Sequence, residues 1–315
     1  AVGTIIKYLG IEETRDALIA VPDEIVQKHI GSYISLAEKC KDKAEAILLA
    51  AKRLINELYD DSDNDKLEKK QNIISSADLT TERMDAWFYQ KKFIDLQKKL
   101  SLDKNFIPLD NFATLANRRI RNLDSYDSDP IEYIEISSID IESSLIKPNL
   151  KTYSELPASA KKELRYGDVL ASTVRVNRKC ISVIPYHLDN SIGSTALAVL
   201  KTPSIEEAYF LELILKHDVS TSQIMRWNTG SVYPTVTEDV FEKILIPNIQ
   251  QDERKKIGKL VKLGVEYRYK SIAFLSTAKS DVESLIEGRL DTDAIMSGKL
   301  KAPTWEDIEK ELEGI

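Results

Sequence analysis

Two stretches of the sequence carry apolar residues on a repeat of seven. In KHIGSYISLAEKCKDKAEAILLAAKRLINEL, from Lys28, the residues Ile30, Ala37, Ala44, Ala51 and Leu58 recur every seven positions, with Tyr33, Cys40, Ile47 and Leu54 three further on. That spacing predicts a long helix with one narrow apolar seam. In KKIGKLVKLGVEYRYKSIAFLSTAKSDVESL, from Lys255, the same pattern returns as Ile257, Gly264, Ser271, Ala278 and Leu285, followed at three by Leu260, Tyr267 and Phe274. Asp281 interrupts this second seam, and Val282 is expected to take its place. The two stretches align without a gap at an offset of about 227 residues, Lys28 over Lys255, so the chain contains a repeated unit. Small side chains at successive seam positions let two backbones come close. Each helix would run about 50 Å at 1.5 Å per residue. The expected partner of each is the other, antiparallel, because a middle region joins their ends.

The repeat extends upstream. EETRDALIAVP, ending at Pro22, matches TEDVFEKILIP, ending at Pro247: a short helix, an apolar strand, then proline just before the long helix. Residues 1–22 are therefore expected to form the closing edge of a preceding domain, residues 23–60 the first long helix and residues 249–287 the second. Residues 61–80, polar and charged, read as a linker. Between the helices, residues 81–248 alternate short elements. IEYIEI, DVLAST, KCISVI and STALAVLK predict strands, and PSIEEAYFLELILKH predicts a helix capped by Ser204 and Glu207. Gly167-Asp168 predicts a tight turn. The fold class is α+β: one mixed α/β domain with a largely antiparallel or curled sheet, plus two long helices packed as an antiparallel coiled coil. Residues 288–315 form a tail that matches neither pattern.

With 315 residues, 43% hydrophobic and 30% charged, the chain can bury a sizeable core. Its formal net charge of -7 argues against a protein that coats nucleic acid, so any DNA contact must come from local basic loops. Cys40 and Cys180 are far apart and outside any metal-ligand spacing, which reads as reduced thiols of a cytoplasmic protein. No apolar run is long enough for a membrane span. His29, His187 and His217 are dispersed and read as structural. There is no His-Glu-x-x-His, no phosphate-cradling loop and no Gly-x-Ser-x-Gly, so no catalytic residue, metal or cofactor is expected. Asp129-Pro130 with Glu135 imitates a nuclease carboxylate pair, but Ser137 stands where such a site needs a lysine.

Three polar loops remain. ANRRIRN brings Arg118, Arg119 and Arg121 together. STVRVNRKC offers Ser172, Thr173, Arg175, Asn177, Arg178 and Lys179. RWNTGSVYPTV offers Arg226, Asn228, Thr229, Ser231, Tyr233 and Thr235. Arginine forks match guanine, amides match adenine, and hydroxyls grip phosphate, so converging loops of this kind would read double-stranded DNA.

This layout resembles the specificity subunits of type I restriction-modification systems. The likeness rests on RMDAWFYQKKF from Arg83, YGDVLAST from Tyr166, NTGSVYPTV from Asn228 and ILIPNIQQDERKKIGKLV from Ile244, and it spans residues 15–287. It implies that residues 81–248 are a target-recognition domain reading one half of a bipartite site. It also implies a non-catalytic chain whose helices act as a ruler and dock adenine-methyltransferase subunits, with restriction subunits joining the complex. The full-length family has two recognition domains where this sequence has one, so a second half or a homodimer is an expected partner. Two other readings stand beside it: a coiled-coil scaffold that binds protein without reading DNA, and a metal-dependent nuclease.

Overall fold

The fold is taken from a computed structural model, which describes residues 15, 21–59, 73–76, 79–120, 130–230 and 232–314. Most of the expected closing edge before Pro22, most of the 61–80 linker, and Arg121, Asp129 and Ser231 lie outside the described residues. The chain divides into two compact units, residues 43–268 and residues 1–42 with 269–315. Helices α1 (Glu24–Tyr59) and α6 (Gln251–Ile286) are each 36 residues long. Both carry acidic residues in the first turn, Glu24 in α1 and Asp252 and Glu253 in α6, where the helix dipole favours them.

In the unit of residues 43–268, the strands described form two four-stranded sheets and one isolated pair. The first sheet orders β2 (Thr114–Leu115), β9 (Leu197–Lys201), β6 (Val169–Ser172) and β7 (Ile181–Val183), all antiparallel. The second orders β4 (Asn149–Lys151), β3 (Ile131–Ile134), β8 (Ile192–Ser194) and β5 (Ala160–Glu163), with β3 and β8 parallel. Ile134, Leu164, Leu170, Ile184 and Leu197 make the core of this unit. Strand β6 is buried at every position because α3 (Ile205–Lys216) packs on β6 and β7 from the other side. This explains why its sequence reads as a continuous apolar run rather than an alternation. Helix α3 starts as expected: the Ser204 hydroxyl accepts from Glu207 N at 3.3 Å and donates to the Glu207 carboxylate at 3.2 Å. Strand β1 (Phe106–Pro108) pairs with β10 (Leu245–Pro247), and the short helix α5 (Val240–Lys243) precedes β10.

The two long helices also meet within this unit. A Cβ on Gly264 would lie 2.7 Å from Leu48 Cγ, so glycine lets α6 approach that side chain. The inward positions of α1 here are Ala44, Leu48, Ala51, Ile55 and Tyr59. The expected seam residues Ile47 and Leu58 are only half-buried and Leu54 is exposed. A strict heptad holds from Ile30 to Ala44 and then yields to a step of four. A straight α-helix turns once per 3.6 residues and drifts about 20° per heptad against a 3.5-residue repeat; Leu48 and Ile55 replace Ile47 and Leu54 for that reason.

In the other unit, α1 and α6 again run antiparallel. Ser271 Oγ donates to Ala37 O at 2.8 Å, and the rings of Tyr33 and Phe274 lie 6.0 Å apart. Ala37, Cys40, Ser271 and Ala278 are buried. Asp281 does not leave the paired face as expected. Its carboxylate lies 3.7 Å from Nε2 of His29, itself only 8% exposed, while Val282 is 40% exposed. The half-buried carboxylate thus stays beside the buried imidazole, and the valine stays outside.

Helix α6 ends at Gly288, in the left-handed region at φ +69°. Gly288 N donates to Leu285 O at 3.1 Å and Arg289 N to Ser284 O at 2.7 Å, the paired bonds of a Schellman stop. The tail then folds back on the same unit as α7 (Thr292–Met296) and α8 (Trp305–Glu313). Ile295 joins Val26, Ile30 and Ala278, and Lys270 pairs with Glu311 at 2.7 Å.

Candidate nucleic-acid interface

Two of the three polar loops are stitched into one surface by the backbone. Arg175 N donates to Pro234 O at 2.6 Å, Val236 N to Thr173 O at 2.9 Å, and Thr229 N to Thr235 O at 2.8 Å. The Asn228 side chain organises the second loop, since its Oδ1 accepts from Gly230 N at 2.9 Å and Thr235 N at 2.8 Å. Gly230 is needed there because a Cβ would lie 1.9 Å from Tyr233 O. Thr235 Oγ1 donates to Tyr233 O at 3.1 Å and Thr229 Oγ1 to Thr235 O at 3.1 Å.

The first loop leaves β6 and turns through a short 3-10 segment, Val176–Arg178, flanked by Arg175 and Lys179, both left-handed at φ 55°. Non-glycine residues in that region cost of order 1–3 kcal/mol each and persist only where the surroundings enforce them. Here the bond to Pro234 O does so. The Arg175 guanidinium lies 4.6 Å from the centre of the Tyr233 ring, joining the loops a second time through a cation–π contact. Exposed on the resulting surface are Arg175, Asn177, Arg178, Thr229 and Tyr233, with Val232 beside them.

Other candidate residues hold the frame rather than face outward. Ser172 and Thr173 are buried: Ser172 Oγ donates to Val174 O at 2.5 Å and Thr173 Oγ1 to Ala196 O at 3.0 Å. Lys179 pairs with Asp218 at the start of α4 (Asp218–Arg226). Arg226 lies 4.0 Å over the Phe88 ring and donates to Phe88 O at 3.3 Å, and burial pushes its pKa down. Arg118 forms an ion pair with Asp168, whose carboxyl burial pushes up against the opposing pull of that arginine. Arg119 is exposed, on a bridge to Lys162 in β5. Thus the structure joins the loop of residues 172–179 to the loop of residues 226–235, while Arg118 serves the turn before β6.

Sequence reasoning missed the braces. Arg83 donates to Trp227 O at 3.0 Å and Asn228 O at 2.9 Å, and Trp87 Nε1 donates to Met225 O at 2.7 Å. The segment RMDAWFYQKKF was noticed as a motif, but its role in holding a loop some 140 residues later has no local signal. The buried Lys162 was also missed: it pairs with Glu238 at 2.6 Å and donates to Leu197 O at 2.6 Å.

Of the carboxylate pair behind the nuclease reading, Asp129 lies outside the described residues. Glu135 accepts from the Ser137 hydroxyl at 2.6 Å and caps the turn that follows β3. Among the described residues, no cluster of three or more His, Cys, Asp or Glu could hold a metal ion. His217 Nδ1 accepts from Val219 N at 3.2 Å and stacks on Tyr59 at 4.1 Å. No helix among the described residues is long and apolar enough to cross a membrane.

These features define a class: an α+β domain presenting two stitched polar loops, in a chain with an antiparallel pair of long helices. Solved structures similar to the chain include the HsdS subunit from Thermoanaerobacter tengcongensis, at 26% identity and TM-score 0.43, covering 58% of this chain and 47% of that one. Another is a chain from work on complex assembly and conformational transition of the type I R-M system, at 27% identity and TM-score 0.44, covering 59% and 48%. The type I restriction-modification S subunit from M. genitalium is similar at 12% identity and TM-score 0.41, covering 85% and 61%. The chain spans about half the length of the first two. No protein-family model matches the chain, and no curated protein matches it.

Proposed function

We propose that this chain is a non-catalytic DNA-recognition subunit of a type I restriction-modification complex. Residues 81–248 read one half of a bipartite site in double-stranded DNA, and the helices dock methyltransferase subunits, to which restriction subunits add. The observation that carries the reading is the single surface built by the stitched loops, which offers arginine, amide, hydroxyl and aromatic groups on a rigid backbone. Those are the groups that match base edges and phosphates. The acidity of the whole chain means that partner subunits supply much of the positive groove.

The second half-site falls to another recognition domain, supplied by a longer chain or by a separate one. The internal repeat supports this. Gly258 of α6 lies against the start of α3, where a Cβ would be 1.8 Å from Glu206 O, while among the described residues the equivalent Gly31 of α1 has nothing within 4 Å of a Cβ. Beside Gly31, Ile34 is exposed where its equivalent Val261 is buried.

The test replaces the exposed arginines Arg119, Arg175 and Arg178 by alanine in the assembled complex. Each arginine that reads a base should cost ~1–3 kcal/mol of specific binding, and each that holds phosphate should lower the salt slope by about one. Specific affinity and salt slope both unchanged in the triple variant would remove the assignment. DNA choice unchanged after deletion of residues 81–248, with the methyltransferase still bound, would instead support the scaffold reading.

A further inference from the structure

Beside the Arg175 loop lies a cleft of about 460 Å³, between the turn at residues 135–141 and the loop at residues 174–180. That volume is within the roughly 300–1,000 Å³ of small-molecule sites. Its walls are mainly apolar, from Ile136, Ile139, Val174 and Ala196, with Cys180, Ser137 and Ser194 lining it too. Burial pushes the Cys180 thiol up to about 11, so it is neutral, and it donates to Ile136 O at 3.6 Å. Charge is confined to three lining groups. Arg175 and Arg178 are exposed, and the Glu135 carboxylate accepts from the Ser137 hydroxyl and from Ser138 N at the start of the turn it caps. A carboxylate has about four lone-pair sites, so Glu135 keeps capacity for a further donor.

We propose that this cleft is a nucleotide site: the base enters the apolar slot with an amino group on Glu135, and its phosphate sits on Arg175 and Arg178. A planar, uncharged ring joined to an anionic phosphate is a ligand whose two halves match an apolar wall and two guanidiniums. A carboxylate accepting from an exocyclic amine is the pairing that cytosine offers. The inference rests on the reading that this loop meets DNA. The nucleotide is then either one unit of a strand, swung out of its stack, or a free mononucleotide, since both present the same base and phosphate.

The experiment titrates the full chain by calorimetry with each of the four deoxynucleoside 5′-monophosphates and with 2-deoxyribose 5-phosphate. At least one monophosphate should bind, about tenfold or more tighter than the sugar phosphate. Arg178→Ala should weaken it by about tenfold, and Ile141→Trp, which fills the cleft from a partly exposed wall, should abolish it while leaving the melting temperature unchanged. A short single strand carrying 2-aminopurine then separates the sources: a fluorescence change on binding, lost in Ile141→Trp, assigns the site to a unit of DNA, and monophosphate binding without it assigns the site to the free nucleotide. No monophosphate binding, equal binding of the sugar phosphate, or binding untouched by Ile141→Trp overturns the proposal. Specific duplex binding by the complex with an empty titration would sink the pocket alone; a productive titration without duplex recognition would sink the recognition reading alone.

Discussion

Gly258 and Gly31 hold the same place in a repeated helix and have opposite surroundings. The first is pressed against the backbone of Glu206, and the second meets nothing among the described residues. The contrast recurs at the other ends of the helices. Ile55 and Tyr59 of α1 are 1% and 4% exposed, Tyr59 meeting Ser220 at 3.1 Å and stacking on His217. Their equivalents in α6, Val282 and Ile286, are 40% and 68% exposed. Each flank of one helix design thus occurs once covered and once exposed: the N-terminal flank is covered in α6 and the C-terminal flank in α1. Sequence similarity alone would have given both copies one role. What distinguishes them is the body each copy carries.

The comparison can be broken most directly by truncating the covered positions. Tyr59→Ala should destabilise the unit of residues 43–268 by ~3–5 kcal/mol, as for other large buried aromatics, whereas Ile286→Ala should stay within about 1 kcal/mol; urea denaturation reads both. Equal costs would mean that the α6 flank is covered in solution. Next in size, Gly258→Ala forces a methyl group into a backbone carbonyl and should cost at least ~1–3 kcal/mol. Gly31→Ala should instead stabilise by up to about 1 kcal/mol, because glycine is a poor residue in an open helix interior. Should a second recognition domain seat on that face, Gly31→Ala would at the same time weaken its association, measured by co-purification.

A smaller effect probes the helix pair itself. Ser271→Ala removes the bond to Ala37 O and should cost about 1 kcal/mol, visible as a lowered denaturation midpoint. The smallest concerns the loop that receives Arg268, which donates to Ser143 O at 2.6 Å. Asp140 in that loop has its pKa lowered, first by the Ser143 hydroxyl and then by Ser143 N. A carboxyl depressed in the folded state adds stability above its unfolded pKa and loses it as pH falls through the folded one. Asp140→Asn should therefore destabilise modestly near neutrality, discounted for exposure, and the gap from the parent should close on acidification. A gap independent of pH would show that the charge is not what matters.

Much of the fold was legible because it is periodic. The heptad marked both long helices, and β-branched runs marked strands at Ile131, Val169, Ile181 and Leu197. What failed was phase and pairing. The step of four at Leu48 depends on how straight the helix runs, and the rotation at Asp281 depends on His29, about 250 residues away. The tail stayed unread because α7 is five residues long and its one buried side chain, Ile295, finds its partners on α1 and α6. Among the polar loops, residue type identified the loops themselves but not which side chains point outward. Arg118, Lys179 and Arg226 have the same chemistry as Arg175 and Arg178, and only their distant partners Asp168, Asp218 and Phe88 set them apart.

The stitching of the two loops has a further consequence for how such a surface can change over generations. Its shape is fixed by main-chain bonds at Thr173, Arg175, Thr229 and Pro234 and by Asn228, whereas Asn177, Arg178 and Val232 contribute only what they display. New side chains at those displayed positions leave the bonds that shape the platform in place. Shape is inherited through one set of atoms, and display can drift through another.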